Sequence, residues 1–346
     1  MLKFKHCNTY PFLCSAVVAM TLGMVGCTSS NQTTETTATS GKPKVVASSS
    51  ILCDLTQQIA QDTVELNCLM EREQDPHTYN TTPSDRKAME TAALVLYCGY
   101  KSVPAIESLV KATDTAAPKI AVYEEAVPKP ILAEHHHHEG EEKEVHTEEL
   151  EADPHVWHNV QNGIAIVEVI EDKLAQVNPE QAQLYAKNGE QLKGKLKELD
   201  AWVKQQVATI PAGKRIIVTT HEAFNYYIQA YGFENSEALQ GLSTEEQPTA
   251  AQVKELVKKV EATKVPTIFA EVTANDQVIG TVASEAKVKV SEKELLAGSL
   301  GAESSDAGTY IGMIATNTCT IVKGLGGQCT PFHPHIVLRL LKAGAG

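Results

Sequence analysis

The sequence predicts an α/β protein with two lobes, each with a mainly parallel sheet flanked by helices, joined by a long rigid linking helix. From Lys44 onward, short apolar runs alternate with helical periods, which is the order that builds parallel sheets. A second series of the same kind begins at Arg215. Between the two series, apolar residues recur every three or four positions, as in one long helix. We therefore expect four parts: an N-terminal lobe over 44–177, the linking helix over 178–210, a C-terminal lobe over 211–327 and a tail over 328–346.

Each lobe has its own predicted succession of strands and helices. In the N-terminal lobe, the apolar runs predict strands at Lys44–Ala47, Val64–Leu69, Leu94–Tyr97 and Lys119–Tyr123. The stretches between them predict helices near Leu52–Ala60, Pro83–Thr91 and Val103–Lys111. In the C-terminal lobe, we expect strands at Arg215–Thr220, Thr267–Val272 and Lys287–Val290. Helices are expected near Glu222–Tyr231, Thr249–Thr263, Asn275–Ala286 and Gly308–Lys323.

The linking helix has clear start and stop signals. Asn178 is a candidate N-cap, Pro179 suits the first helical position, and Gln181 stands where a capping box requires it. The apolar period then runs from Leu192 to Val207, and Pro211 ends the pattern. A helix of roughly 30 residues spans about 45 Å, enough to run along both lobes and to resist hinge bending.

The N-terminus predicts export and lipid anchoring. Residues 1–26 are expected to be a signal peptide, because two lysines precede an apolar run, Pro11–Val25, that is too short to span a bilayer. The run ends at Met24-Val25-Gly26-Cys27, which resembles a bacterial lipobox and predicts lipidation of Cys27; a plain signal peptide cut nearby is the alternative. Residues 27–43, rich in Ser and Thr, suit a flexible tether. We expect an extracytoplasmic protein, periplasmic or on the cell surface, attached to a bacterial membrane by lipid.

The charge of the chain restricts its partners. The formal net charge is −13, and loss of the two signal-peptide lysines makes it −15. So acidic a chain is not expected to bind nucleic acid, whose phosphates it would repel. The same charge is compatible with the collection of cations.

Five cysteines remain once the signal peptide and Cys27 are set aside. Cys319 and Cys329 are close in sequence and are candidates for a disulfide in an oxidising compartment. Cys53 and Cys68 are a weaker candidate pair, and Cys98 lies in an apolar run that predicts a small buried residue. No CxxC pattern occurs, which argues against a thiolate zinc site.

An acidic, histidine-rich stretch over 134–152 interrupts the first lobe. It contains His135, His136, His137, His138 and His146 among many glutamates. Such a composition does not form a core and predicts a mobile loop. One interpretation is an auxiliary site that collects zinc weakly; the other is a solvated insertion without a metal role.

Three further histidines carry the main functional signal. His77 follows Asp75-Pro76, His155 follows Asp153-Pro154, and His221 comes directly after the predicted strand Arg215–Thr220. Ligands of open α/β sheets bind beyond the carboxyl ends of strands, which is where all three are expected. One such histidine alone would be read as structural, but three together predict a metal site.

The motifs around these histidines resemble the cluster A-I metal-binding lipoproteins, the solute-binding subunits of zinc and manganese ABC importers. The resemblance rests on Asp75–Tyr79, Thr82–Asp85, Asp153–Trp157, Thr220–Phe224, Tyr231–Phe233, Gly241–Glu245 and Thr309–Met313, and covers Lys44 to about Gly327 in order. It implies an ion held between the lobes, with His77 and His155 as ligands from the first lobe and His221 from the second. It also implies an ABC permease with its ATPase as partners, and we expect a monomer.

The ligand set favours zinc as the transported ion. Manganese-type members of the family usually have glutamate at the third ligand position, where this chain has His221, and three imidazoles suit Zn²⁺ better than the harder Mn²⁺. The family often supplies an aspartate before a Ser-Leu-Gly, and here Gly298 occupies that position. The fourth ligand is therefore water, our first expectation, or a carboxylate: Glu271, Glu303 or Asp306.

Other functional classes are weaker readings. Three histidines and a water also make a catalytic zinc site, but His221-Glu222 is not followed by the second histidine of HExxH. No GxSxG elbow, P-loop or dinucleotide fingerprint occurs. We therefore expect a receptor rather than an enzyme, with a manganese-type receptor or a lipid-anchored zinc reservoir or adhesin as the alternatives.

Overall fold

The structure is a computed structural model that describes residues 41–134, 150–245 and 247–334. The predicted signal peptide, Cys27, most of the tether, the end of the tail and the loop histidines (His135–His138 and His146) lie outside these residues. From Lys42 onward the described residues form one compact unit. None of the described helices combines the length and the apolar character that crossing a membrane requires.

The N-terminal lobe has a four-stranded parallel sheet. Strand β1 (Lys44–Ala47) pairs with β2 (Glu65–Cys68) on one side and with β3 (Leu94–Tyr97) on the other, and β4 (Lys119–Ala121) extends the sheet beyond β3. Helices α1 (Ser50–Ala60), α2 (Pro83–Glu90) and α3 (Pro104–Ala112) connect the strands. β3 is a continuous apolar run, and so is β1 after the exposed Lys44, as is typical of strands buried on both faces of a sheet.

Two parts of the first lobe differ from the prediction. The strand expected over Lys119–Tyr123 ends at Ala121, because the Tyr123 N–H turns back to the Cys98 carbonyl at 2.9 Å and helix α4 (Val122–Ala126) begins. Helix α5 (Val160–Val177) was not predicted, although its buried residues keep a helical period. A short antiparallel ribbon, β5 (Leu132–Glu134) and β6 (Leu150–Ala152), lies on either side of the predicted histidine-rich loop.

The linking helix is α6 (Ala182–Val207), with 26 residues and hence a length of about 39 Å. It begins later than predicted, because Pro179–Gln181 form a separate 3-10 turn. The Asn178 side chain makes no capping hydrogen bond; its amide donates instead to the Tyr185 hydroxyl at 3.0 Å. The predicted apolar face is buried against α1 and α5, and later against the C-terminal lobe.

The C-terminal lobe contains two parallel strand pairs. Strand β7 (Ile216–His221) pairs with β8 (Asn235–Gln240), and β9 (Thr267–Ile268) pairs with β10 (Lys289–Val290). Its helices are α7 (Asn225–Tyr231), α8 (Ala250–Thr263), α9 (Asp276–Ala286) and α10 (Tyr310–Gly324). β8 was not predicted, since its sequence is mostly polar, and the strand expected over Thr267–Val272 stops at Ile268 and leaves only an isolated bridge at Glu271.

The structure contains two disulfides and one free thiol among the described cysteines. Cys53 is bonded to Cys68, which ties α1 to β2, and Cys319 is bonded to Cys329, which ties α10 to the tail. Cys98 is a buried free thiol. The tail then returns to the linking helix, where the Thr330 N–H donates to the side chain of Gln206 at 3.0 Å.

Candidate metal centre

His77, His155 and His221 converge on one buried point between the lobes. His77 lies in the loop after β2, His155 precedes the 3-10 turn Val156–His158, and His221 is the last residue of β7. The His155 Nε2 atom lies 3.3 Å from the Nε2 atoms of both His77 and His221. The candidate ligand atoms of all three lie within 4.8 Å of one another, and the rings are at most 5% exposed.

The spacing of these nitrogens matches a tetrahedral metal site. Two nitrogens bound to Zn²⁺ at 2.0–2.1 Å with tetrahedral angles lie about 3.3–3.4 Å apart. The two Nε2–Nε2 distances of 3.3 Å that involve His155 agree with the edges of such a site. Uncoordinated imidazoles gain little from packing three nitrogens together in a buried space, so the geometry favours a cation at their centre.

The same local turn positions two of the three histidines, His77 and His155. In both Asp-Pro-His motifs the aspartate Oδ1 accepts the N–H of the histidine two residues later, at 3.0 Å from Asp75 to His77 and 2.9 Å from Asp153 to His155. Proline between them has no N–H that would compete for the carboxylate. The repeated motif therefore makes the same tight turn twice and directs each histidine away from its own backbone.

Carboxylates behind the rings orient two of the histidines. Asp153 Oδ1 accepts the His155 Nδ1–H at 2.9 Å. Glu271 Oε2 pairs with Nδ1 of His221, while Glu271 Oε1 accepts the N–H of Thr220 at 2.9 Å and of His221 at 3.0 Å. Because Nδ1 carries the proton in both rings, Nε2 is left as the free ligand atom at the centre of the cluster.

The carboxylates considered as a fourth ligand do not join the cluster. Glu271 is fully buried but bonds the far side of the His221 ring, which corrects its candidacy as a ligand to that of an orienting partner. Glu303 and Asp306 are exposed. Among the described residues, the histidine triad forms without any carboxylate. Gly298 lies against Pro76, and a Cβ on it would be 2.6 Å from the Pro76 Cδ atom.

The electrostatics of the cluster leave two rings neutral and one able to hold a proton. Burial and the neighbouring rings lower the pKa of His77 well below its usual 6.5, and burial does the same for the pKa of His155. Burial also opposes charge on His221, but the Glu271 carboxylate outweighs it and raises the pKa of His221. Burial raises the pKa of Asp153 to about 6. Since a metal binds neutral imidazole, the first two rings are in the ligand form at neutral pH.

A hydrogen bond joins the lobes beside the cluster. The Thr244 hydroxyl of the C-terminal lobe donates to Asp75 Oδ2 at 2.5 Å, and Asp75 Oδ1 holds His77 at the same time. A polar cavity of about 160 Å³ adjoins this contact, lined from both lobes by residues that include Thr78, Thr220 and Asn275. Thr244 thus connects the two lobes, a contact that the Gly241–Glu245 motif alone does not predict.

A fourth buried histidine near the cluster is not a candidate ligand. His158 is fully buried, stacks on Phe224 with 4.4 Å between ring centroids, and donates from Nε2 to the Ala297 carbonyl at 2.9 Å. Burial lowers the pKa of His158 to about 3. Trp157 donates to the same carbonyl at 3.1 Å. The sequence analysis missed this role, because the carbonyl belongs to a segment 139 residues away.

Comparisons with known proteins link this geometry to metal uptake. Residues 45–324 match the family described as ZnuA, zinc-uptake complex component A, periplasmic. The chain is 32% identical over 314 residues to the metal ABC transporter substrate-binding lipoprotein FimA of Streptococcus parasanguinis, covering 89% of this chain and 96% of that one. It is 31% identical over 312 residues to the manganese ABC transporter substrate-binding lipoprotein PsaA of Streptococcus pneumoniae, again covering 89% and 96%.

A solved structure has the same architecture. The periplasmic zinc-binding protein TroA from Treponema pallidum superposes with a TM-score of 0.74 and 29% identity, covering 82% of this chain and 99% of that one. This likeness confirms the predicted two-lobe α/β fold. The printed names differ in the metal, with zinc for TroA and manganese for PsaA.

Proposed function

The chain belongs to the family of the zinc-uptake component A proteins, and from this membership we propose that it is the receptor that captures Zn²⁺ for an ABC importer. It is a metal ABC transporter substrate-binding lipoprotein, an extracytoplasmic receptor and not an enzyme. The finer part of the proposal concerns the ion, its ligands and the route by which the ion is delivered.

The buried histidine triad is the main reason for proposing zinc rather than manganese. Its ligands are His77, His155 and His221, and the described residues add no carboxylate to them. Imidazole nitrogen suits Zn²⁺, whereas Mn²⁺ prefers carboxylate and water oxygens. The 3.3 Å spacing of the Nε2 atoms also suits the short bonds of a tetrahedral ion. Water is proposed as the fourth ligand, since no described carboxylate reaches the centre.

The site explains how an ion would hold the lobes together. His77 and His155 belong to the N-terminal lobe and His221 belongs to β7 of the C-terminal lobe, so one bound ion bridges the two. The proposed receptor, a monomer anchored through lipid on Cys27, presents this bridged form to a membrane permease that is driven by its ATPase. The histidine-rich loop is proposed as a weak auxiliary collector of zinc; its histidines lie outside the described residues.

A manganese receptor is the second candidate, because the similar protein PsaA is named for manganese. Direct titration of the mature chain with Zn²⁺ and with Mn²⁺ tests the choice, with residues 134–149 deleted to remove the loop. We expect one tightly bound zinc and manganese binding at least about 100-fold weaker, given the soft ligand set. Comparable binding of Mn²⁺ would favour the manganese receptor. The chain with its loop intact is the control, and its additional zinc should bind weakly.

A further inference from the structure

One segment of the chain contains none of the three clustered histidines but contacts the residues that support each of them. This segment, Leu295–Leu300, which we call the strap, runs between the lobes and is buried along its whole length. At its start, the strap forms hydrogen bonds with the residues on both sides of Glu271, the partner of His221. The Leu295 N–H donates to the Ala270 carbonyl at 2.8 Å and the Val272 N–H donates to the Leu295 carbonyl at 3.0 Å, on either side of Glu271.

The middle of the strap holds the segment that carries His155. The Ala297 carbonyl accepts two hydrogen bonds, from Trp157 Nε1 at 3.1 Å and from His158 Nε2 at 2.9 Å. Both donors follow His155 within three residues, and all these side chains are at most 1% exposed. Buried bonds of this kind are costly to lose, because the donors would remain without partners.

The next residue, Gly298, touches the loop that carries His77. A Cβ on Gly298 would lie 2.6 Å from Cδ and 2.7 Å from Cγ of Pro76, the residue directly before His77. The proline ring is closed onto its own backbone nitrogen, so it cannot rotate away as a flexible side chain does. Carbon atoms pack at about 3.5–4.0 Å, so any side chain at 298 would push this loop back by about 1 Å.

The strap is itself fixed at both ends. The buried Asn317 amide of α10 bonds both backbone groups of Leu296, accepting its N–H at 3.0 Å and donating to its carbonyl at 2.8 Å. At the other end, the Leu300 N–H donates to the Ser50 hydroxyl of α1 at 3.0 Å. The strap is therefore fastened to the C-terminal lobe and the N-terminal lobe at once.

From these contacts we propose that the strap positions the metal centre, and that Gly298 sets how closely the His77 loop approaches the other two histidines. The inference rests on the proposed zinc site. Metal–ligand distances tolerate only about 0.2 Å, so a retreat of about 1 Å by His77 would remove one ligand from the ion. Gly298 is thus a positioning residue that acts through Pro76, without touching the ion.

The test is a double-mutant cycle on Gly298 and Pro76. Gly298→Ala is expected to weaken zinc binding about 10- to 100-fold, the usual cost of disturbing the support of a ligand. Because Pro76→Ala removes the obstructing ring, the double variant should bind zinc at least about tenfold more tightly than the two single effects together predict. The matched control is Gly280→Ala in α9, where a Cβ meets open space and zinc affinity should not change.

Two further measurements test the role of the strap independently of the double-mutant cycle. The absorption bands of bound Co²⁺ report its coordination, and Gly298→Ala should change them while Gly280→Ala should not. If Gly298→Ala does not fold, Asn317→Asp, which loses the donor to Leu296, is expected to weaken zinc binding about tenfold. Unchanged affinity in the deciding variant, or independent effects in the cycle, overturns the role of the strap. Absence of tight zinc binding in the unmodified protein would instead overturn the proposed function.

Discussion

The carboxylate of Glu271 lies directly behind the ring of His221, on the side that faces away from the other two histidines. It pairs with Nδ1 and also accepts the His221 backbone N–H at 3.0 Å, so side chain and backbone are held by one group. Glu271, which the sequence suggests as a possible metal ligand, therefore orients the ring of His221 instead. This pair leaves Nε2 of His221 facing the other two histidines and raises the pKa of the ring against the effect of burial.

Removal of His221 should abolish the tight zinc site. His221→Ala takes away the ligand proposed for the C-terminal lobe, so an ion would no longer bridge the lobes. Isothermal titration should show loss of the one tightly bound zinc, while any weak binding by the histidine-rich loop persists. His333→Ala, which removes an exposed imidazole in the tail, is the control and should not alter the tight site. A tight site that survives in His221→Ala contradicts the ligand assignment.

Neutralising Glu271 should weaken zinc binding without removing a ligand. Glu271→Gln keeps the size of the side chain but loses the charge that supports His221, and such changes usually cost about 10- to 100-fold in affinity. Competition with a chelating dye measures the effect. Glu303→Gln, on an exposed residue, should have no effect. Equal affinities for the two variants would show that Glu271 does not support the ligand.

Zinc affinity should begin to fall above pH 6.5 as the solution is acidified. A proton competes with the ion for His221, and Glu271 outweighs burial to raise the pKa of that ring above 6.5. A raised pKa means that the proton competes from a higher pH onward than it would for an ordinary imidazole. Dissociation constants measured across about pH 5.5–8 give the onset.

The same measurement on Glu271→Gln provides the control for this pH dependence. Without the Glu271 carboxylate, burial is opposed only by the charges of Asp75 and Asp153, so the pKa of His221 should fall and the loss of affinity should begin at a lower pH. An onset that is the same in both proteins would mean that another group governs the competition. Asp153, with a pKa of about 6, is the group to test next, since its protonation would weaken the support of His155.

Breaking the interlobe hydrogen bond at Thr244 should speed the release of zinc. Thr244→Val keeps the shape but removes the hydroxyl that donates to Asp75. A hydrogen bond to a charged group is worth about 1.5–3 kcal/mol, so release should accelerate about tenfold or more. Stopped-flow transfer of zinc to a chelator measures the rate. Thr281→Val, at an exposed position of α9, is the matched control. Equal rates of zinc release in the two variants would show that the Thr244–Asp75 hydrogen bond does not hold the lobes together.

Loss of the Cys319–Cys329 disulfide should affect stability and leave the metal site intact. This bond closes a short loop, with a sequence separation of 10, and ties the tail to α10. The double variant to serine should lower the free energy of unfolding by about 2–4 kcal/mol. Denaturant unfolding of the metal-free protein measures this, and zinc affinity serves as the internal control. A change in zinc affinity as large as the change in stability would place the tail in the binding mechanism.

Local patterns in the sequence were sufficient for much of the fold. The strands β1 and β3 are short and, after Lys44 at the start of β1, apolar, and their bounds could be predicted because strands buried on both faces contain few polar residues. Two segments were not predicted: β8, whose sequence is mostly polar, and α5, although its buried residues keep a helical period. The linking helix begins at Ala182, a few residues later than predicted, because Pro179–Gln181 form a separate 3-10 turn.

For the metal centre, the sequence alone determined which rings to consider, since the repeated Asp-Pro-His motif and the histidine at the end of β7 are local features. Tertiary structure decided how they are used. The pairing of Glu271 with His221, the approach of Gly298 to Pro76 and the shared carbonyl of Ala297 join segments that are far apart along the chain. Such contacts depend on distances of a few tenths of an ångström between packed elements, and periodicity within one segment contains no information about them.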